Sequence, residues 1–334
     1  MGVYLKIFIK NLLLVFFSIL FTLILIEILL RLSGSTPRKT LDISTNETVT
    51  NISDSVLGWT PKIGKHNFKP WSKEGKETSL TVNKDHSRFT GHINENKSKI
   101  IFIGGSVTQG WAVNDDETFP FLIQRRNNNY KVYNYAVGGY GGYQSLLSLE
   151  KVFKDKKNIE LVVYGLIPHH EVRNIAAGSW MYLLNFFSKR GVVNLPYGSV
   201  DRNNNLIRHK PIKYINLPLG ELSVLITKVE KKIMKSKSLL REKKQTKISL
   251  KIINEMQKLT LRNNSKFVLL FLEEFNDNRS YQYDSFLNEK KISHVKCLMP
   301  RGKKFMVPGE GHPNELSHEI ISNCIYQKLN LRNY

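Results

Sequence analysis

The chain has 334 residues, 50 Lys and Arg against 28 Asp and Glu, and a net charge of +22. That is room for one sizeable domain plus an appendage, and 41% hydrophobic with 23% charged residues excludes a disordered polymer. So basic a chain favours anionic partners in general. Its Lys and Arg are dispersed and no nucleic-acid motif appears, so no nucleic-acid partner is expected.

Residues 12–32 read LLLVFFSILFTLILIEILLRL, with Glu27 and Arg31 as the only charges. At about 1.5 Å per residue this run crosses a hydrocarbon core of about 30 Å. Its length and the lack of a clear small-residue cleavage site favour an uncleaved anchor over residues 1–32, a single-pass membrane segment. The flanking charges (Lys6 and Lys10 before it, Arg31, Arg38 and Lys39 after it) are nearly balanced and do not set its orientation. Positions 33–60 are rich in Ser, Thr, Asn and Asp and read as a stalk. With an irregular lead-in bearing Trp59, Phe68, Trp71 and Phe89, the region 33–98 precedes the main domain.

From residue 99 short apolar runs alternate with helical patterns. Strands are predicted at 100–103, 131–137, 161–167, 266–272 and 294–298, and helices at 118–126, 144–153, 248–261, 281–290 and 314–329. Alternation of this kind implies an α/β, flavodoxin-like doubly wound parallel sheet, with chemistry beyond the carboxyl ends of the strands. Positions 172–235 break the rhythm and are expected to form an inserted lobe, whose Trp180, Tyr182, Phe186 and Phe187 pack internally or line a cleft. From 228 to 247 there are nine Lys or Arg against two Glu, read as a solvated helical face or a contact for acidic lipid or glycan. Cys297 and Cys324 are the only cysteines; one disulfide is possible, and metal-ligand spacing is absent.

Three segments carry chemistry. Gly104-Gly105-Ser106-Val107-Thr108 follows the first strand of the domain and exposes a serine where the backbone turns sharply. Asn134-Tyr135-Ala136-Val137-Gly138-Gly139 follows the second and offers backbone N–H donors for an oxyanion. Glu310-Gly311-His312-Pro313-Asn314 precedes the last helix; in an extended segment Glu310 and His312 would face the same way, carboxylate orienting imidazole.

In this order and on this pattern, the three segments resemble those of the SGNH hydrolases, the GDSL-like lipases and esterases, over about residues 99–325. Leu57-Gly58-Trp59 resembles a lead-in of anchored bacterial members. Gly105 stands where the family has an acidic residue, and Glu310 where it has Asp. The third family block, whose Asn donates to the oxyanion, corresponds to Gly165-Leu166-Ile167-Pro168-His169-His170-Glu171, with His169 at the Asn position and Asn174 as a stand-in. The resemblance implies a nucleophile Ser106, a base His312 oriented by Glu310, and an oxyanion hole of Ser106, Gly139 and His169. It is also chiefly this resemblance that implies an amino terminus inside and a large domain outside the cytoplasm. No cofactor and no metal are expected. The substrate would be an ester-bearing glycan or lipid, and the product of an acyl-Ser106 intermediate would be set by water (esterase) or by a sugar hydroxyl (acyltransferase). A glycan-binding or assembly module with a degraded site is the competing, non-catalytic reading.

Overall fold

Ile100, Ile101, Phe102 and Ile103 alternate between two apolar clusters, as only a strand buried on both faces can. They lie at the centre of the computed structural model, which describes residues 2–39, 50–69, 76–92, 96–187 and 194–331. In chain order the elements begin with α1 (Gly2–Leu32), β1 (Asn51–Asp54), β2 (Gly58–Pro61), β3 (Gly64–Phe68) and β4 (Thr78–Val82). The main domain opens with β5 (Ser98–Gly104), α2 (Ser106–Gln109), α3 (Phe119–Arg126), β6 (Tyr130–Asn134), α4 (Gly142–Asp155) and β7 (Ile159–Leu166). Next come α5 (His170–Asn174), α6 (Gly178–Phe187), β8 (Asn194–Val200), β9 (Leu206–Lys213) and α7 (Val224–Glu242). The chain finishes with α8 (Gln245–Arg262), β10 (Lys266–Phe271), α9 (Asp277–Glu289), β11 (His294–Lys296) and α10 (Glu315–Lys328).

The central sheet runs β6-β5-β7-β10-β11 with every neighbouring pair parallel. Renumbered within the sheet, that is the flavodoxin-like order 2-1-3-4-5, whose switch point falls between β5 and β7. Ile101, Ile103, Val162 and Tyr164 pack on α4, α8 and α9; Ile100, Phe102 and Val163 pack on α3 and α10. Cys297 and Cys324 form a disulfide that ties α10 to the end of β11. Closing a loop of 27 residues contributes about 3.5 kcal/mol by the chain-entropy model.

The region before residue 98 is more regular than its sequence suggests. β1 pairs with β2 and β3 with β4, each antiparallel, and Arg38 is buried against α7 rather than free in a stalk. The reason is tertiary: Phe68, Leu80 and Val82 form a small core with Trp111. Trp71 and positions 40–49 of the expected stalk lie outside the described residues. The inserted lobe consists of α6, the antiparallel β8–β9 hairpin and α7, so it extends past 235 to Glu242. The predicted strand 131–137 ends at Asn134, whose side chain turns the chain. Its Nδ2 donates to the carbonyls of Thr108 (3.1 Å) and Gln109 (3.2 Å), and its Oδ1 accepts from Ala136 N (3.1 Å).

Candidate active site

β5 delivers Ser106 by a turn that only glycine accommodates. Gly104 has φ +152, and a Cβ there would lie 2.6 Å from Thr108 Oγ1 and 2.9 Å from the Gly165 carbonyl. Ser106 opens α2 and is 7% exposed. His312 Nε2 lies 2.9 Å from Ser106 Oγ, a hydrogen bond bridging 206 positions of sequence. His312 Nδ1 lies 3.3 Å from Glu310 Oε2, close to it but not aligned as a hydrogen bond. The two side chains do not meet along an extended segment. Gly311 has φ +84, and a tight hairpin closed by Val307 N donating to the His312 carbonyl (2.8 Å) brings them together. Asn314, the last residue of that block, caps α10 by accepting from Ser317 N (3.2 Å).

Glu310 has a second partner that sequence reasoning missed. Trp111 Nε1 donates to Glu310 Oε1 at 2.7 Å, and its ring packs on Phe68 with centroids 4.6 Å apart. The carboxylate side chain is only 2% exposed. The β3–β4 ladder thus fixes the group that faces His312, a link invisible locally because 199 positions separate Trp111 from Glu310.

Gly139 stands beside this pair of loops with φ +81. Among the described residues, neither its N–H nor that of Ser106 donates to a protein acceptor. Neighbouring Gly138 N is held by Gln109 Oε1 (2.8 Å), and its carbonyl accepts from Trp59 Nε1 (3.1 Å). A Cβ on Gly139 would lie 3.0 Å from Trp59 Cζ2 and 3.6 Å from Trp180 Cζ2. Trp180, from the lobe, therefore borders the site, whereas Tyr182 packs against Tyr214.

His169 is exposed, and no hydrogen bond joins its ring to Ser106 or Gly139 among the described residues. Asn174 is already engaged, accepting from Tyr143 N (2.9 Å) and donating to Ser249 Oγ (2.8 Å). It is His170 that turns inward, with Nδ1 2.7 Å from Tyr164 Oη and Nε2 buried without a partner. A Cβ on Gly105 would lie 2.7 Å from His170 Nε2 and 3.0 Å from Arg173 Nη1. Position 105 is glycine because these two side chains fill the space a Cβ would take. Burial pulls the Arg173 guanidinium down to about 10, opposed by Tyr164 and Glu273; it stays charged at neutral pH. It donates to the Tyr140 carbonyl (3.0 Å) and lies 4.5 Å from the Trp180 ring centre.

Burial, then the charge of Arg173, holds His170 neutral well below its ordinary range. Burial likewise takes His318 down to about 3, and its Nδ1 accepts from Phe119 N (3.3 Å). The unfolded chain binds a proton at each of these positions below about pH 6.5 while the folded chain does not, so stability falls with falling pH. Between pH 7 and 5 the loss from His318 is expected to be about 2 kcal/mol, and His170 adds to it in the same direction. Urea midpoints across that range measure it, and a flat profile would rule out neutral burial of both rings.

No protein-family model matches the sequence, and no curated protein matches it. Solved structures do. One is a lipolytic protein of the G-D-S-L family from Veillonella parvula, at 10% identity over 70% of this chain and 98% of that one, TM-score 0.40. A psychrotrophic esterase from Pseudoalteromonas sp. is similar at 10% identity over 70% and 97%, TM-score 0.44. An acetyl xylan esterase from Butyrivibrio proteoclasticus is similar at 11% identity over 74% and 68%, TM-score 0.40.

Proposed function

We propose that this chain is a serine esterase of the SGNH, GDSL-like type that works through an acyl-Ser106 intermediate. The observation that carries the reading is the 2.9 Å approach of His312 Nε2 to Ser106 Oγ at the switch point of the sheet. His312 takes the Ser106 proton as Oγ attacks the ester carbonyl, and the C–O bond to the leaving alcohol breaks as His312 returns that proton. Water then adds to the acyl carbon by the same route and frees Ser106. Glu310, held by Trp111, orients and stabilises the imidazolium. Backbone N–H groups of Ser106 and Gly139 hold the oxyanion. This reading needs no donor from His169; the buried charge of Arg173 adds a favourable field behind the hole.

The substrates are O-acyl groups on envelope or exported polysaccharide. Support comes from Trp59 and Trp180, whose indole edges flank Gly139 and offer apolar contact to a sugar ring. The disulfide fits an oxidising compartment outside the cytoplasm. α1 is 31 residues long and has the length and hydropathy to cross a membrane.

A fluorophosphonate probe, which reacts with activated serines, tests the reading without knowledge of the natural ester. Peptide mass spectrometry should find the adduct on Ser106, and His312→Ala should abolish it. A folded protein that takes no label would sink the proposal.

A further inference from the structure

The last turns of α1 are sewn into the domain. Glu27 accepts hydrogen bonds from Ser223 Oγ (2.9 Å), Val224 N (3.0 Å) and Leu225 N (3.0 Å), the start of α7. Unpaired N–H groups and the positive end of the helix dipole favour a carboxylate there. Arg31 closes on the same carboxylate at 2.7 Å and donates to the Leu222 carbonyl. Beyond the helix, Arg38 N donates to the Gly220 carbonyl (3.1 Å) and Thr227 Oγ1 (2.8 Å), and its guanidinium pairs with Glu221 (2.9 Å) and the buried Glu230 (3.2 Å). A removable leader has no reason to be so engaged with the folded domain.

Depth follows from length. Positions 11–26 of α1 carry no charge, and these 16 residues span about 24 Å against a hydrocarbon core of about 30 Å. Glu27 therefore falls at or beneath the boundary between acyl chains and headgroups, where an unpaired carboxylate is strongly disfavoured. Its partners on α7 must reach the same depth. The corner that carries them reads Leu217-Pro218-Leu219-Gly220-Glu221-Leu222, with its one acid paired to Arg38. Leu219 is 62% and Leu222 68% exposed. Leu219 also holds φ +63, a left-handed conformation that leucine adopts only at an energetic cost and that Gly or Asn accepts easily. Two exposed leucines, one strained, beside an apolar helix are explained by contact with lipid.

We propose that corner 217–223 is a membrane-embedded wedge: Leu219 and Leu222 enter the acyl-chain boundary of the bilayer crossed by α1, and the Glu27 clamp makes α1 a retained part of the domain. The wedge is independent of the catalytic reading. It fixes the height of the inserted lobe, and through Trp180 that of the active site, above the membrane.

The test uses the full chain in liposomes, with an environment-sensitive fluorophore on Leu219→Cys, Leu222→Cys and, as reference, Leu240→Cys at the far end of α7; the native cysteines are consumed in their disulfide. Emission at 219 and 222 should be blue-shifted and quenched by lipids bearing a nitroxide high on the acyl chain, with 240 unaffected. Water-like, unquenched emission at 219 and 222 overturns the wedge. So does equal quenching at all three sites, which would mean the whole face lies on lipid. Glu27→Leu should abolish the quenching at 222 while α1 stays in the bilayer; quenching that persists overturns the clamp. Intact-mass analysis of the protein from membranes should retain α1, and a mature chain beginning after Ser33 overturns its structural role.

Discussion

Ser106→Ala is expected to lower kcat/KM for p-nitrophenyl acetate by about 10⁴-fold or more, His312→Ala by a comparable factor, and the double variant no further than either alone. The non-additivity is the informative part. A nucleophile and its base act in one step, so once either is gone the other has nothing to activate or deprotonate. Glu310→Gln should cost a comparable factor, because Trp111 keeps the amide oxygen and the new NH2 then faces His312 Nδ1, favouring the imidazole tautomer that cannot take the Ser106 proton. Steady-state kinetics on the four proteins, checked for native folding, measure all of this. Activity in Ser106→Ala within about tenfold of the parent would place ester cleavage at another group.

The parallel sheet was legible because its strands are short, uninterrupted apolar runs between helices of the right length, as at Ile100–Ile103 and Leu161–Ile167. The pair Ser106 and His312 was legible as well, since a strand-end serine and a histidine before the last helix meet at the switch point. What surrounds them was not. β1 and β3 are only four and five residues long and largely polar, and β3 is held through Phe68 by Trp111, far along the chain. His169 and His170 are neighbours, and which of them faces inward depends on where α5 begins after Pro168. The pairing of Glu27 with Ser223 spans 196 positions, and a carboxylate in an apolar run carries no local hint of its acceptor site. Periodicity reports burial within an element. It says nothing of which distant donor a buried charge will meet.

Arg88 is the residue whose loss should harm the fold most, and it lies in the lead-in rather than the sheet. Its side chain is 1% exposed, and all its nitrogens are engaged. Nε donates to Asp115 (3.0 Å), Nη1 to the carbonyls of Gln109 (3.0 Å) and Gly110 (2.6 Å), and Nη2 to those of Val113 (2.7 Å) and Ser79 (3.3 Å). Arg88→Met removes a charge from a buried pair and strands these acceptors, so a loss of about 3–5 kcal/mol is expected by urea denaturation. Arg88→Lys should rescue little, because one ammonium cannot reach carbonyls arrayed around a planar fork. The loop from 109 to 113 that Arg88 organises also carries Trp111, the donor to Glu310. Activity should therefore fall in the Met variant even at urea concentrations where it remains folded. Loss of stability with full activity per folded molecule would separate the two, and would mean that Phe68 alone suffices to hold Trp111 against Glu310.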